Sequence, residues 1–178
     1  AASGNSGIKS YDIVDTAAHL AGAAGHVLAL AGAVMANTPA TAVEAGVLAG
    51  FAKPVVYSIA DTAAQVVVSA GLNKAVDITA TTAATVAEAM VIATAGNRGV
   101  NAYDVVDTAA RLAGSSGGVF PPVGQVVANT LATGAQASIM AGFAKAVAYS
   151  ISDTAGQVGA GTGWGKAADV GGTSVATV

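Results

Sequence analysis

Short apolar runs rich in β-branched and aromatic residues alternate along the chain with longer alanine-rich stretches, and a polar residue marks each change. Tyr103-Asp-Val-Val and Val147-Ala-Tyr-Ser-Ile have the composition of strands of about 4–6 residues. Each run stops at Asp15, Asn37, Asp61, Thr81, Asp107, Asn129, Asp153 or Thr173. All are types whose side-chain oxygen accepts from the free N–H groups of a helix's first turn, which predicts helix caps there. The stretches that follow, such as Thr82 to Ala95 and Thr130 to Gly142, are rich in helix formers. Gly22, Gly50, Gly71, Gly96, Gly114 and Gly142 stand where a helix closes through a positive φ, and Pro39 fits just inside a helix start.

The pattern repeats. Offset by about 92 residues, the chain matches itself without gaps, with roughly half of the aligned positions identical. Tyr11-Asp-Ile-Val-Asp-Thr-Ala-Ala meets Tyr103-Asp-Val-Val-Asp-Thr-Ala-Ala, and Gly50-Phe-Ala-Lys meets Gly142-Phe-Ala-Lys. This gives copies 1–92 and 93–178, the second about six residues short. Within them a period of about 46 sets sub-repeats near 1–46, 47–92, 93–138 and 139–178. A hydroxyl column, Thr16, Thr38, Thr62, Thr82, Thr108, Thr130, Thr154 and Ser174, refines the mean spacing to about 23 residues.

One strand and one helix per unit, joined by right-handed crossovers, predicts an α/β, solenoid-like stack of short parallel strand–helix repeats. Eight units at about 4.8 Å per strand would be roughly 35–40 Å long. Because alternate units differ, one turn is either about 23 residues with one sheet or about 46 with two.

Composition supports repetition over a large-residue core. Hydrophobic residues make up 53% of the chain but aromatics only 4%, with 23 glycines. Small side chains bury little area each, so stability must come from close backbone approach and regular hydrogen bonding. Seven Lys plus Arg and a net charge of −3 leave no basic stripe for nucleic acid. The lack of cysteine excludes disulfides, thiolate metal sites and cysteine nucleophiles. A mean hydropathy of +0.63 raises a membrane span at Ala17 to Ala36. Its counterpart, Ala109 to Ala128, carries Arg111, Ser115, Ser116 and Pro121-Pro122, which argues against one. The opening Ala1-Ala-Ser-Gly-Asn shows neither an initiator Met nor a leader pattern and reads as processed or excerpted.

The phrase Tyr-x-Ile/Val-x-Asp-Thr-Ala-Ala is carried by Asp15-Thr16-Ala17-Ala18, Asp61-Thr62-Ala63-Ala64 and Asp107-Thr108-Ala109-Ala110. Asp153-Thr154-Ala155-Gly156 carries it with a Gly in last place. It resembles the Asp-Thr-Ala-Ala repeat arrays of very large bacterial surface and secreted proteins, of adhesin, surface-layer or matrix type. The resemblance implies an extracellular or cell-surface location and no catalytic residue.

Several residues invite chemistry. The carboxylates of Asp12, Asp15, Asp104 and Asp107 suggest calcium, although a cap explains the Asp column, its Asn and Thr substitutes included. Asp12 and Asp104 are the pair capping does not cover. The hydroxyl column suggests a surface for ice or glycan, against which stands its place at strand-to-helix junctions. His19 and His26 match Arg111 and Gly118 in the second copy, and Glu44 matches Gln136. Neither a metal set nor a carboxylate pair is completed. Gly159-Ala-Gly-Thr-Gly-Trp-Gly-Lys166 lacks the first Gly and the final Ser/Thr of a phosphate loop.

These readings converge on a non-catalytic structural protein without cofactor. Its partner is itself, as a homopolymer or as adjacent repeats of a longer adhesin. Strand edges and Ala/Gly faces make the contact, with Phe120 and Trp164 as anchors. A ligand-binding solenoid for ice, cell-surface glycan or calcium is the alternative, and an enzyme scaffold the third.

Overall fold

The structure, a computed structural model, describes residues 11–23, 28, 30–97, 99, 101–115, 117, 120 and 124–173. Ser174 and His26 lie outside them. The described residues form a mixed α/β fold of seven α-helices and short parallel strands in small sheets. In chain order these are β1 (Ile13–Asp15), α1 (Ala17–Gly22), β2 (Val34–Ala36), α2 (Ala42–Ala49), β3 (Ile59–Asp61), α3 (Ala63–Val68), β4 (Ile78–Ala80), α4 (Val86–Thr94) and β5 (Asn101–Ala102). There follow β6 (Val105–Asp107), α5 (Ala109–Gly114), β7 (Val126–Ala128), α6 (Gly134–Ala141), β8 (Ser150–Asp153), α7 (Ala155–Ala160) and β9 (Asp169–Gly172). Turns of 3-10 helix occupy Leu72–Lys74 and Trp164–Lys166. None of the described helices is long and apolar enough to cross a membrane.

The chain divides into two compact units, Ala1–Thr81 with Thr94–Asn101, and Thr82–Ala93 with Ala102–Val178. In the first, β1 pairs with β2 and β3 with β4, all parallel, setting Ile13 opposite Val34 and Ile59 opposite Ile78. In the second, β6 pairs with β7 and β8 with β9, setting Val105 opposite Val126 and Ile151 opposite Val170. Single bridges extend these pairs: Met35 to Val56 and Ala40 to Ile59, then Ala84 to Val105, Val127 to Ala148 and Ala132 to Ile151. The ladder therefore steps sideways. Met35 belongs with Val14 and Val56, whereas Ala40, past Asn37-Thr38-Pro39, opens the next ladder at Ile59.

Two kinds of junction alternate. Where a strand ends in Asp-Thr the helix starts at once and runs six residues. The hydroxyl is the N-cap: Thr16, Thr62, Thr108 and Thr154 accept from the N–H of His19, Gln65, Arg111 and Gln157. Here the structure shifts the expected cap by one residue, from the Asp to the Thr. At the other junctions the helix starts later, so Asn37, Thr81 and Asn129 are not its N-caps and Pro39 lies outside it. Thr41 and Thr133 cap instead, each in a capping box with Glu44 or Gln136. Thr85 and Glu88 exchange the same bonds.

The core follows from spacing. The helices α1 to α6 bury an alanine and a larger residue three places on: Ala17 and Leu20, Ala45 and Leu48, Ala63 and Val66, Ala89 and Ile92, Ala109 and Leu112, Ala137 and Met140. That spacing sets both on one face. The alanine admits the helix backbone close to its neighbours, and the larger side chain fills the space beside it. From the strands, Val34, Ile59, Ile78, Val105, Val126 and Ile151 complete the apolar interior.

The glycines serve differently from expectation. Gly117 is the one described glycine with positive φ, while Gly50 and Gly142 end helices in right-handed conformation. Gly71 is needed for contact: a Cβ there would stand 2.3 Å from the Ala45 carbonyl oxygen. Its counterpart Gly163 would place one 2.3 Å from the carbonyl carbon and oxygen of Ala137.

Candidate functional site

Several of the side chains singled out by sequence bond to the neighbouring strand–helix repeat. The carboxylates of Asp61, Asp107 and Asp153 each bridge two helix starts. Oδ1 accepts from the following residue's N–H, that of Thr62, Thr108 or Thr154, at 2.7–2.8 Å. Oδ2 accepts at 3.0 Å from the first helical N–H of the preceding unit, that of Ala42, Val86 or Gly134. The Asp column thus does cap helices, but across units. Thr38 and Thr130 do the same with a hydroxyl, accepting from the N–H groups of Ala17 and Ala109 at 3.0 Å.

Strand bonds accompany each carboxylate bond. The N–H of Ala40 donates to Ser58 O, Ala84 to Asp104 O and Ala132 to Ser150 O, each at 2.8 Å. In return Ala40 O accepts from Ala60, Ala84 O from Val106 and Ala132 O from Ser152. An Ala-Thr-small segment, Ala40-Thr41-Ala42, Ala84-Thr85-Val86 or Ala132-Thr133-Gly134, is therefore held by one three-bond socket at three places.

Asp15 differs. Its Oδ1 accepts from the Thr16 N–H at 2.7 Å and lies 3.0 Å from His19 Nδ1, while Oδ2 has no partner among the described residues. Its side chain is 47% exposed, against 7% for Asp107. The Thr16 N–H and then the His19 ring hold its carboxyl below the ordinary carboxylate value. Arg111 takes the place of His19 in the second unit, 4.0 Å from Asp107.

Asp12 and Asp104, the two that capping left unexplained, accept from the N–H groups of Ala33 and Gln125 at 2.8 and 2.7 Å. Each of the calcium candidates has a carboxylate oxygen accepting from a backbone N–H, and the described residues contain no group of three or more His, Asp or Glu fit to hold a metal ion. Six members of the hydroxyl column are engaged at helix starts: Thr16, Thr62, Thr108 and Thr154 cap their own helices, and Thr38 and Thr130 cap others. Thr82 follows β4 at the surface.

Of the two anchors, Trp164 is 57% exposed on its 3-10 turn. Phe120 is 0% exposed, its ring 5.8 Å from that of Phe143, so it is a core residue and no contact anchor. The first unit carries a groove of about 500 Å³ lined by Phe51, Pro54, Val55, Tyr57 and Lys74 among others. The Lys74 ammonium donates to Ala49 O at 2.7 Å.

Sequence reasoning missed the tyrosines and the second set of caps. Tyr57 and Tyr149 donate their hydroxyls to Gly71 O and Gly163 O at 2.8 and 2.7 Å, and Tyr103 reaches Ala89 O at 3.5 Å. Burial pushes all three phenols above their ordinary value. The capping boxes had a legible signal in Thr41…Glu44, Thr85…Glu88 and Thr133…Gln136. Comparison with protein-family models, curated proteins and solved structures returns no match.

Proposed function

We propose that the chain is a non-catalytic structural repeat protein of the bacterial cell surface or extracellular matrix, stacked as a solenoid and associating end to end into a filament or layer. The observation that carries this reading is the three-bond socket, which joins successive strand–helix units the same way at three places. Such a joint is extensible, because each unit presents to the next what it received from the last. The carboxylates that acid–base chemistry would need, Asp61, Asp107 and Asp153 with Glu44 and Glu88, are bound to backbone N–H groups. Strand β9 adds an edge: all four residues are exposed, and β8 is its strand partner among the described residues. Unpaired edges template further strands.

Sedimentation velocity across protein concentration, followed by electron microscopy, tests the reading. Concentration-dependent growth into filaments or sheets is expected with calcium or with chelator. A monomer at every concentration, or a specific hydrolytic or transferase activity, would refute it.

A further inference from the structure

The groove of the first unit is left unused by a purely structural role. Phe51, Pro54, Val55 and Val76 give it apolar walls around about 500 Å³. That volume lies in the range of small-molecule sites, which are mostly apolar with a few polar groups that fix the ligand's orientation. Tyr57 is also in the lining, with its hydroxyl committed to Gly71 O.

The polar end of the groove is built on the 3-10 turn Leu72–Lys74, where Asn73 and Lys74 are each held by another lining residue. Asn73 Oδ1 accepts from the Gly96 N–H at 3.3 Å, which leaves the two Nδ2 hydrogens as donors. The Lys74 ammonium gives one of its three hydrogens to Ala49 O at 2.7 Å and keeps two. No lining residue is acidic. This end therefore offers side-chain donors and one positive charge, and its complement is an anion attached to an apolar body.

We propose that the groove binds a small apolar monocarboxylate, its hydrocarbon against Phe51, Pro54, Val55 and Val76 and its carboxylate accepting from Lys74 Nζ and Asn73 Nδ2. The second copy supplies a comparison within the chain. It keeps the lysine, with Lys166 donating to Ala141 O at 2.7 Å, but has Ala146 for Pro54, Gly165 for Asn73 and Ala168 for Val76. The lysine–carbonyl bond is common to both copies, whereas the second donor and two of the apolar walls belong to the first. The site goes beyond self-association and does not depend on it.

Equilibrium dialysis of the full chain against isotope-labelled octanoate tests the proposal whatever the assembly state, with labelled octanamide as the uncharged counterpart. Octanoate binds saturably at one site per chain, about tenfold or more tighter than octanamide, the scale of a hydrogen bond to a charged group. Lys74→Met keeps the aliphatic stem and brings octanoate down to the affinity of octanamide, while Lys166→Met changes neither. Val76→Ala, which installs the residue of the second copy, weakens both ligands about twofold to fivefold through lost apolar contact. Circular dichroism checks that each variant is folded. If Lys74→Met is not, the preference for octanoate in the wild type and the loss in Val76→Ala decide the matter. Uptake that does not saturate, equal affinity for the two ligands, or equal losses from Lys74→Met and Lys166→Met would overturn the site and leave the proposed function standing.

Discussion

Gly163→Ala isolates close backbone approach from every other role of glycine. Gly163 has φ −86°, which alanine adopts freely, so the substitution carries no backbone strain. What it adds is one methyl group, 2.3 Å from the carbonyl carbon and oxygen of Ala137 and 2.8 Å from the Ser138 nitrogen. All three are main-chain atoms of α6, so no flexible side chain can move aside. Overpacking of this kind costs about 1–3 kcal/mol. Separating the 3-10 turn from α6 also loosens the Tyr149 hydroxyl bond to Gly163 O, worth about 1 kcal/mol. The expected loss is about 2–4 kcal/mol, or roughly 10–25 °C in Tm for a unit of this size. Gly159→Ala in α7 is the control, since a Cβ there meets nothing within 4 Å. Replacing this glycine in the last turn of α7 should stabilise by up to about 0.5–1 kcal/mol. The assay is guanidinium unfolding followed by far-UV circular dichroism. Equal midpoints for the two variants would refute the close-approach argument, and Gly71→Ala against Ala45 repeats the test in the first unit.

Asp107→Ala removes the acceptor for the Thr108 and Val86 N–H groups from a buried position and should cost about 2–4 kcal/mol in chemical denaturation, with Asp107→Asn in between. Thr133→Ala should cost about 1 kcal/mol and Asn129→Ala under about 0.5, because the first caps α6 and the second does not; reversed values would restore the sequence-based cap. Carboxyl NMR should find Asp15 titrating below the ordinary carboxylate range. With its folded pKa depressed, its stabilising contribution is present above the unfolded value and is lost as pH falls through the folded one. His19→Ala should raise that pKa only part of the way, since the Thr16 N–H is the larger cause.

The short parallel strands and their alternation with helices were legible because both are written in local composition. The cap positions were half legible. Asp-Thr offers two acceptors in succession, and propensity alone does not say that Thr108 turns to its own helix while Asp107 reaches back to Val86. That choice depends on a unit about 20 residues away in sequence, which a local pattern cannot contain. Phe120 was misread as a contact anchor for a like reason: nothing local shows that Phe143 is brought against it. Gly71 was read as closing a helix through a positive φ, yet what it and its counterpart Gly163 need is the absence of a Cβ beside Ala45 and Ala137.

X-ray diffraction from oriented, concentrated protein at near-neutral pH tests most directly whether the joint that links units within the chain also links chain to chain. The account predicts an axial reflection near ~4.8 Å from parallel strands stacked continuously along a filament. A solution that cannot be oriented and gives no axial spacing at any concentration would contradict it.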